Sequence, residues 1–536
     1  MSRLAYLVRM GVAAAAIATI HPQAALAQAA GTPTLVVMIV VDQLGGGLID
    51  RYEPALTAGG FRRFMEQGRR YTQASHAHGM PETAPGHATL ATGVFPSRHG
   101  IVSNTWRQRA GFEWPTMYAV GDSAHPILGH EDDPTLEGRS PANLLRDGLA
   151  DWVRAADPAA RAVSISKKDR SAVAMAGRSG AGAWWLLDRE GVFVTSTYYA
   201  ERYPTWLTVF NEQVMPGISA TPMWLSEVPS ELSSLAESDA QSYEVGGRDM
   251  SSFPHIGADE AGPLGSEDFN IWAYETPRAD DAVLELAKTA IVQLQLGQRG
   301  PVDFLAVSFS ATDRVGHRYG PLSQEMLSTL IHLDLVLANL LDYLDQQVGA
   351  GLWVAGLAGD HGVVIPPEAA RAHGNDAAER IMDEELLEDM GLALREAASN
   401  GGRPEVIADR LAALLEDEEL VEEAYTHRQL AFGGEPADSF AVLLRNSYYP
   451  GRAWGVLSRY GVEVRYGEGD LVTSFDTGTD HGTPYWYDRH VEMMMLGPGI
   501  LPGVSDEPVH TVDFAPTLAG LGGIRFPEDL DGRRLY

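Results

Sequence analysis

The chain has 536 residues, 45% of them hydrophobic, with no cysteine and a formal net charge of −32. That apolar fraction supplies a large core and excludes a disordered chain, while the lack of thiols excludes disulfides and thiolate metal sites. The acidic balance excludes a surface that attracts nucleic acid or anionic lipid, so an anionic substrate needs a local cationic site.

Residues 1–27 read as a cleavable export signal. Arg3 and Arg9 give a basic start, residues 10–20 are apolar, and Ala25-Leu26-Ala27 is a small-x-small cleavage site. The apolar stretch is shorter than the roughly 20 residues that span a bilayer, and no later segment reads as a span. Residues 28–536 are therefore expected in the periplasm or the medium, without stable membrane insertion.

Leu35–Val41 is an unbroken apolar, mostly β-branched run ending at Asp42, as in a buried parallel strand. Gly45-Gly46-Gly47 lacks the lysine of a phosphate-binding loop and reads as a strand-to-helix turn. Residues 61–67 and 84–94 read as helices, the second with Thr83 near its N-cap and Pro85 in its first turn. Ser140-Pro141 opens a helical run to about 155. A short strand at 161–165 leads into Lys168-Asp169-Arg170.

From about 171 to 277 the texture changes to that of an insertion, with a hairpin formed by 183–187 and 192–196. Alternation resumes with a helix at 279–295, a strand at 304–309, a long helix marked by Leu327, Leu330, Leu337 and Leu341, and a strand at 352–358. A second insertion spans about 366–470, where Glu416-Asp417-Glu418-Glu419 reads as a solvated helix face. Residues 492–496 return as a core strand with Met493, Met494 and Met495 as filler. Strands alternating with helices point to a parallel α/β sandwich.

Asp42, Asp313 and Asp360-His361 each follow a strand, and ligands of open α/β sheets gather beyond the carboxyl ends of strands. Asp313 and His317 share a helical face, and Asp-His-Gly occurs at 360–362 and again at 480–482. Each feature has an ordinary explanation: an aspartate caps a turn, Thr83-x-Pro85 caps a helix, and Lys168 with Arg170 is a basic turn. Taken together, Asp42, Asp313, His317, Asp360, His361 and His481 supply donors for two divalent ions. Imidazole and carboxylate without thiolate suit zinc, with manganese or a similar ion as the alternative.

Asp42, Thr83-Ala84-Pro85-Gly86-His87, Thr92-Gly93, His99-Gly100-Ile101, Asp313–His317, Asp360-His361-Gly362 and Asp480-His481-Gly482 together resemble the alkaline phosphatase superfamily. The spacing is most similar to exported bacterial alkaline phosphatases with a threonine nucleophile, near the nucleotide pyrophosphatase/phosphodiesterase branch. Val512-Asp513-Phe514 and Leu530-Asp531-Gly532 fit the same resemblance.

It implies a three-layer α/β/α sandwich with a mostly parallel central sheet and the two insertions. It implies two zinc ions, one held by Asp313, His317 and His481, the other by Asp42, Asp360 and His361 with Thr83 as nucleophile. Asp480 is not carried over as a ligand, and His87 is expected to be a packed helical histidine.

The resemblance also gives Asn104, Lys168 and Arg170 to the phosphoryl oxygens. Two added cations favour a monoester, with about two negative charges, over a diester with one. The implied activity is hydrolysis of small phosphate monoesters through a phosphothreonine, with release of inorganic phosphate. A phosphodiesterase or pyrophosphatase on the same site is the alternative, and a non-catalytic phosphate- or metal-binding protein a remoter one. A sulfatase is disfavoured because Thr83 is neither Cys nor Ser and His87 stands where the sulfatase motif has arginine.

Overall fold

Leu35–Val41 (β1) is buried along its whole length, and its side chains alternate between two hydrophobic cores. Leu35, Val37, Ile39 and Val41 enter one core, and Val36, Met38 and Val40 enter the other. A strand covered on both faces needs apolar residues at every position, which accounts for the unbroken run. This computed structural model describes residues 32–536 except 112, 245–250, 433–438, 456 and 474–477. The expected export signal lies outside the described residues.

The other strands of this sheet are, in chain order, Arg69–Tyr71 (β2), Ala162–Ser166 (β3), Gly182–Leu187 (β4), Val192–Val194 (β5), Asp303–Phe309 (β6), Trp353–Gly359 (β7), Met493–Leu496 (β8) and Gly503–Ser505 (β9). Their spatial order is β9-β2-β8-β7-β1-β6-β3-β4-β5. The run β7-β1-β6-β3-β4 is parallel, whereas β8 runs against both β7 and β2, and β5 against β4.

Eight helices frame the sheet: Phe61–Gln67 (α1), Thr83–Thr92 (α2), Leu149–Ala156 (α3), Asp169–Ala176 (α4), Arg278–Gln293 (α5), Ala311–Tyr319 (α6), Gln324–Leu344 (α7) and Phe514–Leu521 (α8). Helices α1, α5, α6 and α7 fill the first core, and α2, α3, α4 and α8 fill the second. The result is the expected α/β/α sandwich.

Several local expectations change. The helix expected from Ser140 begins only at Leu149, because the Ser140 hydroxyl is spent on Asp122 Oδ2 at 2.5 Å and on the Ala142 N–H at 3.2 Å. Such local side-chain bonds offer the backbone an alternative to helix. The hairpin at 182–194 is no insertion, since β4 and β5 extend the central sheet. Lys168 is the N-cap of α4 rather than part of a basic turn.

The acidic stretch at 416–419 is exposed, as expected, but follows the helix Pro404–Leu415 as a turn. Residues 324–349 are long and apolar enough to cross a bilayer, contrary to the sequence reading. Most of that window is instead buried, with α7 packed into the first core through Leu327, Leu330, Leu337 and Leu341.

The segment read as a second insertion carries a hydrophobic cluster of its own. Leu411 and Leu415 pack with Val421 and Val462 from the antiparallel pair Val421–Thr426 and Val462–Tyr466.

Candidate active site

Asp42, Lys168, Asp313 and Asp360 all lie just past the carboxyl ends of β1, β3, β6 and β7, four adjacent parallel strands. Because β8 is antiparallel, the loop that enters it arrives at the same edge of the sheet and brings His481 with it. The sequence supplied the residues; the reversed strand supplies the position of the sixth candidate ligand.

Helix α2 begins at Thr83, and its N-cap is Glu82 rather than Thr83. Pro85 therefore sits in the first turn, where its missing N–H costs nothing. The Ala84 N–H donates to Asn104 Oδ1 at 2.8 Å, so the helix start offers fewer free donors than its sequence suggests. Gly86 lets α2 approach the end of β7, since a Cβ there would lie 2.2 Å from the Asp360 carbonyl oxygen. His87 is fully buried, with Nδ1 2.8 Å from the Thr83 carbonyl oxygen and Nε2 2.9 Å from Ser308 Oγ. It is the packed histidine expected.

The six candidate ligands form two sets, Asp42/Asp360/His361 and Asp313/His317/His481, with one donor atom from each member within 4.8 Å of the others. His361 Nε2 lies 3.3 Å from Asp42 Oδ1 and 4.0 Å from Asp313 Oδ1, and His317 Nε2 lies 3.2 Å from Asp313 Oδ1. The rings of His361 and His481 stack at 3.6 Å, so the sets adjoin.

The donor chemistry fits divalent cations. Asp42 Oδ1, Asp360 Oδ2 and His361 Nε2 are buried with no committed hydrogen-bond partner, while Asp42 Oδ2 is met only by the Lys168 ammonium at 2.7 Å. In all three histidines Nδ1 faces a carbonyl oxygen: Thr479 at 3.0 Å from His317, Gly362 at 2.9 Å from His361 and Pro81 at 3.1 Å from His481. A carbonyl only accepts, so Nδ1 carries the proton and Nε2 presents a lone pair toward the carboxylates. Asp480 stands behind this set, accepting the His481 N–H at 2.9 Å, with its Oδ1 3.7 Å from His317 Nδ1.

Lys168 Nζ lies 3.4 Å from Thr83 Oγ1, 2.7 Å from Asp42 Oδ2 and 2.5 Å from Asp313 Oδ2. Arg170 Nη2 also donates to Thr83 Oγ1 at 3.4 Å. Burial opposes ionisation of Asp42 and Asp313, and the Asp313 charge further opposes that of Asp42, but the Lys168 ammonium between them helps hold both carboxyls below the usual range. Thr83, Asn104, Lys168 and Arg170 are thus gathered beside the two sets, as the sequence reading required.

Three supporting residues were missed. Gln43 donates its N–H to Asp360 Oδ1 at 3.0 Å and its Nε2 to Asp313 Oδ1 at 3.3 Å, bridging the two sets. Its φ of 64° is a left-handed conformation that a glutamine rarely takes. Glu82 Oε2 accepts the Asn104 N–H at 2.6 Å and the Ser103 hydroxyl at 2.9 Å, and burial pushes its carboxyl above the usual range.

Asp169 accepts from Tyr118 at 2.5 Å and Arg139 at 2.5 Å beside Arg170. Burial alone would raise this carboxyl, but the two guanidiniums hold it low. Asp169 and Glu82 lay inside or directly beside segments already singled out, without a role of their own; Gln43 carries no motif.

The family model described as type I phosphodiesterase / nucleotide pyrophosphatase matches residues 36–461. The chain is 29% identical to alkaline phosphatase PhoV of Synechococcus elongatus, over 94% of this chain and 93% of that one. It is 28% identical to alkaline phosphatase PafA of Elizabethkingia meningoseptica, with the same coverages. The crystal structure of wild-type PafA superposes with a TM-score of 0.85 at 26% identity, covering 94% of this chain and 98% of that one.

Proposed function

The chain belongs to the type I phosphodiesterase / nucleotide pyrophosphatase family, and we propose that it works there as an exported zinc alkaline phosphatase with a phosphothreonine intermediate. It is a phosphoric monoester hydrolase by its likeness to PhoV and PafA along nearly its whole length. The observation that carries the monoester reading is the pair of cations, Lys168 and Arg170, that both reach the Thr83 hydroxyl. A monoester dianion gains more from two such charges than a diester monoanion does.

Divalent ions bound by the two ligand sets would supply Lewis acidity at the attacking and leaving oxygens. The protein's own residues do the rest. Thr83 Oγ1 gives up its proton and bonds to phosphorus while the ester P–O bond breaks and the departing alcohol is protonated. Asn104, Lys168 and Arg170 hold the phosphoryl oxygens in line for that displacement. Water then attacks the phosphothreonine, releasing inorganic phosphate and restoring the hydroxyl. His317, His361 and His481 keep Nε2 free for ligation because their Nδ1 protons are committed to carbonyl oxygens.

Steady-state kinetics on an aryl phosphate monoester and the matching diester test this reading. A higher kcat/KM for the monoester is expected, and a preference for the diester would return the enzyme to the activity named by its family. Metal analysis of the purified protein is expected to find zinc at two per chain. For the proposed export, the mature N-terminus is expected at Gln28, and a cytoplasmic, uncleaved protein would refute it.

A further inference from the structure

A cavity of about 370 Å³ lies between the second insertion and the catalytic loops, within the range of small-molecule sites. One wall is catalytic: Met80, three residues before Thr83, and the loop that carries Asp480 and His481. The facing wall is the insertion, where Trp454 and Val464 join Tyr485 in an aromatic and apolar lining. Asn104, Lys168 and Arg170, the groups around the Thr83 hydroxyl, line none of it.

Its position gives it a side of the reaction. The start of α2 packs against the Asp42/Asp360/His361 set, with His87 Nδ1 3.0 Å from Asp360 Oδ2 and Gly86 against the Asp360 backbone. This packing agrees with the reading, implied by the family resemblance, that Thr83 attacks from that side. An in-line displacement expels the alcohol on the other side, toward Asp313, His317 and His481, and the cavity opens beside His481.

We propose that this cavity receives the alcohol portion of the monoester, and that the preferred substrates are esters of aromatic or branched apolar alcohols. The proposal rests on the monoesterase reading and adds the class of leaving group. Among the described residues of the walls the one lysine or arginine is Arg465, and it is committed: it donates to the Tyr485 hydroxyl at 2.8 Å and covers the Phe440 ring at 4.5 Å. Asp470 and Asp480 also line the cavity, so alcohols bearing a second anion are disfavoured.

The test compares 2-naphthyl phosphate with phenyl phosphate, esters of phenols of similar acidity, so that differences in kcat/KM report binding of the alcohol. The native enzyme should favour the naphthyl ester about tenfold. Val464→Trp, which fills the cavity, should remove that preference while inhibition by inorganic phosphate stays unchanged. Trp454→Ala, which enlarges it, should shrink the preference and carries the test if Val464→Trp folds poorly.

A ratio near one in the native enzyme, or a ratio unchanged in both variants, overturns the proposal. If metal-replete enzyme hydrolyses neither ester, the phosphatase reading itself fails. Fluorescence binding of 2-naphthol then asks separately whether the cavity accepts the alcohol, and no binding overturns that as well.

Discussion

Thr83 is 1% exposed and has a lysine and an arginine on its hydroxyl, an arrangement that suits an attacking group better than a helix cap. Thr83→Ala is expected to lower kcat by about a thousandfold or more, as nucleophile removal does elsewhere, with metal content unchanged. Activity near that of the native enzyme would remove Thr83 as the nucleophile. Lys168→Ala should cost more on monoesters than on diesters, and equal losses would remove its role in reading charge.

At this scale the sequence was generous with groups whose chemistry is unusual. Aspartates and histidines at strand ends, and Thr83 beside Pro85, announced themselves. Glu82 and Gln43 did not, because a buried glutamate that braces Asn104 and a glutamine that bridges two carboxylates have no spacing signature.

Among elements, the decisive ones are short turns at the carboxyl edge of the sheet. The turn from β6 into α6 is fixed by Asp280 on α5, whose Oδ1 accepts the Ser310 and Ala311 N–H groups at 2.9 and 3.2 Å. Burial pushes this carboxyl up to about 7 against those two bonds. Asp280→Ala leaves two backbone donors unpaired and is expected to cost about 1–3 kcal/mol of stability. It should also weaken metal retention, because Asp313 and His317 ride on that helix; chelator titration of native and variant protein measures this, and equal retention would show that α6 is held by other contacts.

Strands were easier to read than these turns. The runs at 35–41, 304–309 and 352–358 are almost wholly apolar, Ser308 being the exception, because both faces are covered, and that pattern needs no tertiary information. The edge hairpin β4–β5 was set apart as an insertion because its flanks lack periodicity, although its strands complete the sheet.

Across the whole molecule, the segment read as a first insertion is tied to α7 by an ionic contact. His255 sits between Glu260, 3.0 Å from Nδ1, and Glu325 of α7, 3.1 Å from Nε2. Burial works against its charge, but the two carboxylates raise it to about 9. A histidine raised on folding stabilises fully below its unfolded value of about 6.5, and that contribution is lost as pH rises through 9. Glu244, which burial and Glu325 push up to about 8, adds a loss of the same sign.

The melting temperature of native protein should therefore fall between pH 6.5 and 9. In His255→Gln it should start lower and fall less, and parallel curves would show that this contact does not set the slope. Chelation should lower the melting temperature of both proteins, since ions that bind only the folded state stabilise it.

By itself the sequence pointed to the main strands, to the candidate metal-donor residues and to Thr83 as the candidate nucleophile, because apolar periodicity and donor chemistry are local properties. Only the tertiary structure decided that β8 runs backward and so delivers His481 to the edge where Asp42, Asp313 and Asp360 end. It alone brought residues 454–472 against the loop that carries Asp480 and His481 to leave a cavity there. Strand direction and the gap between two packed bodies depend on contacts far apart in the chain, and no single stretch of residues records them.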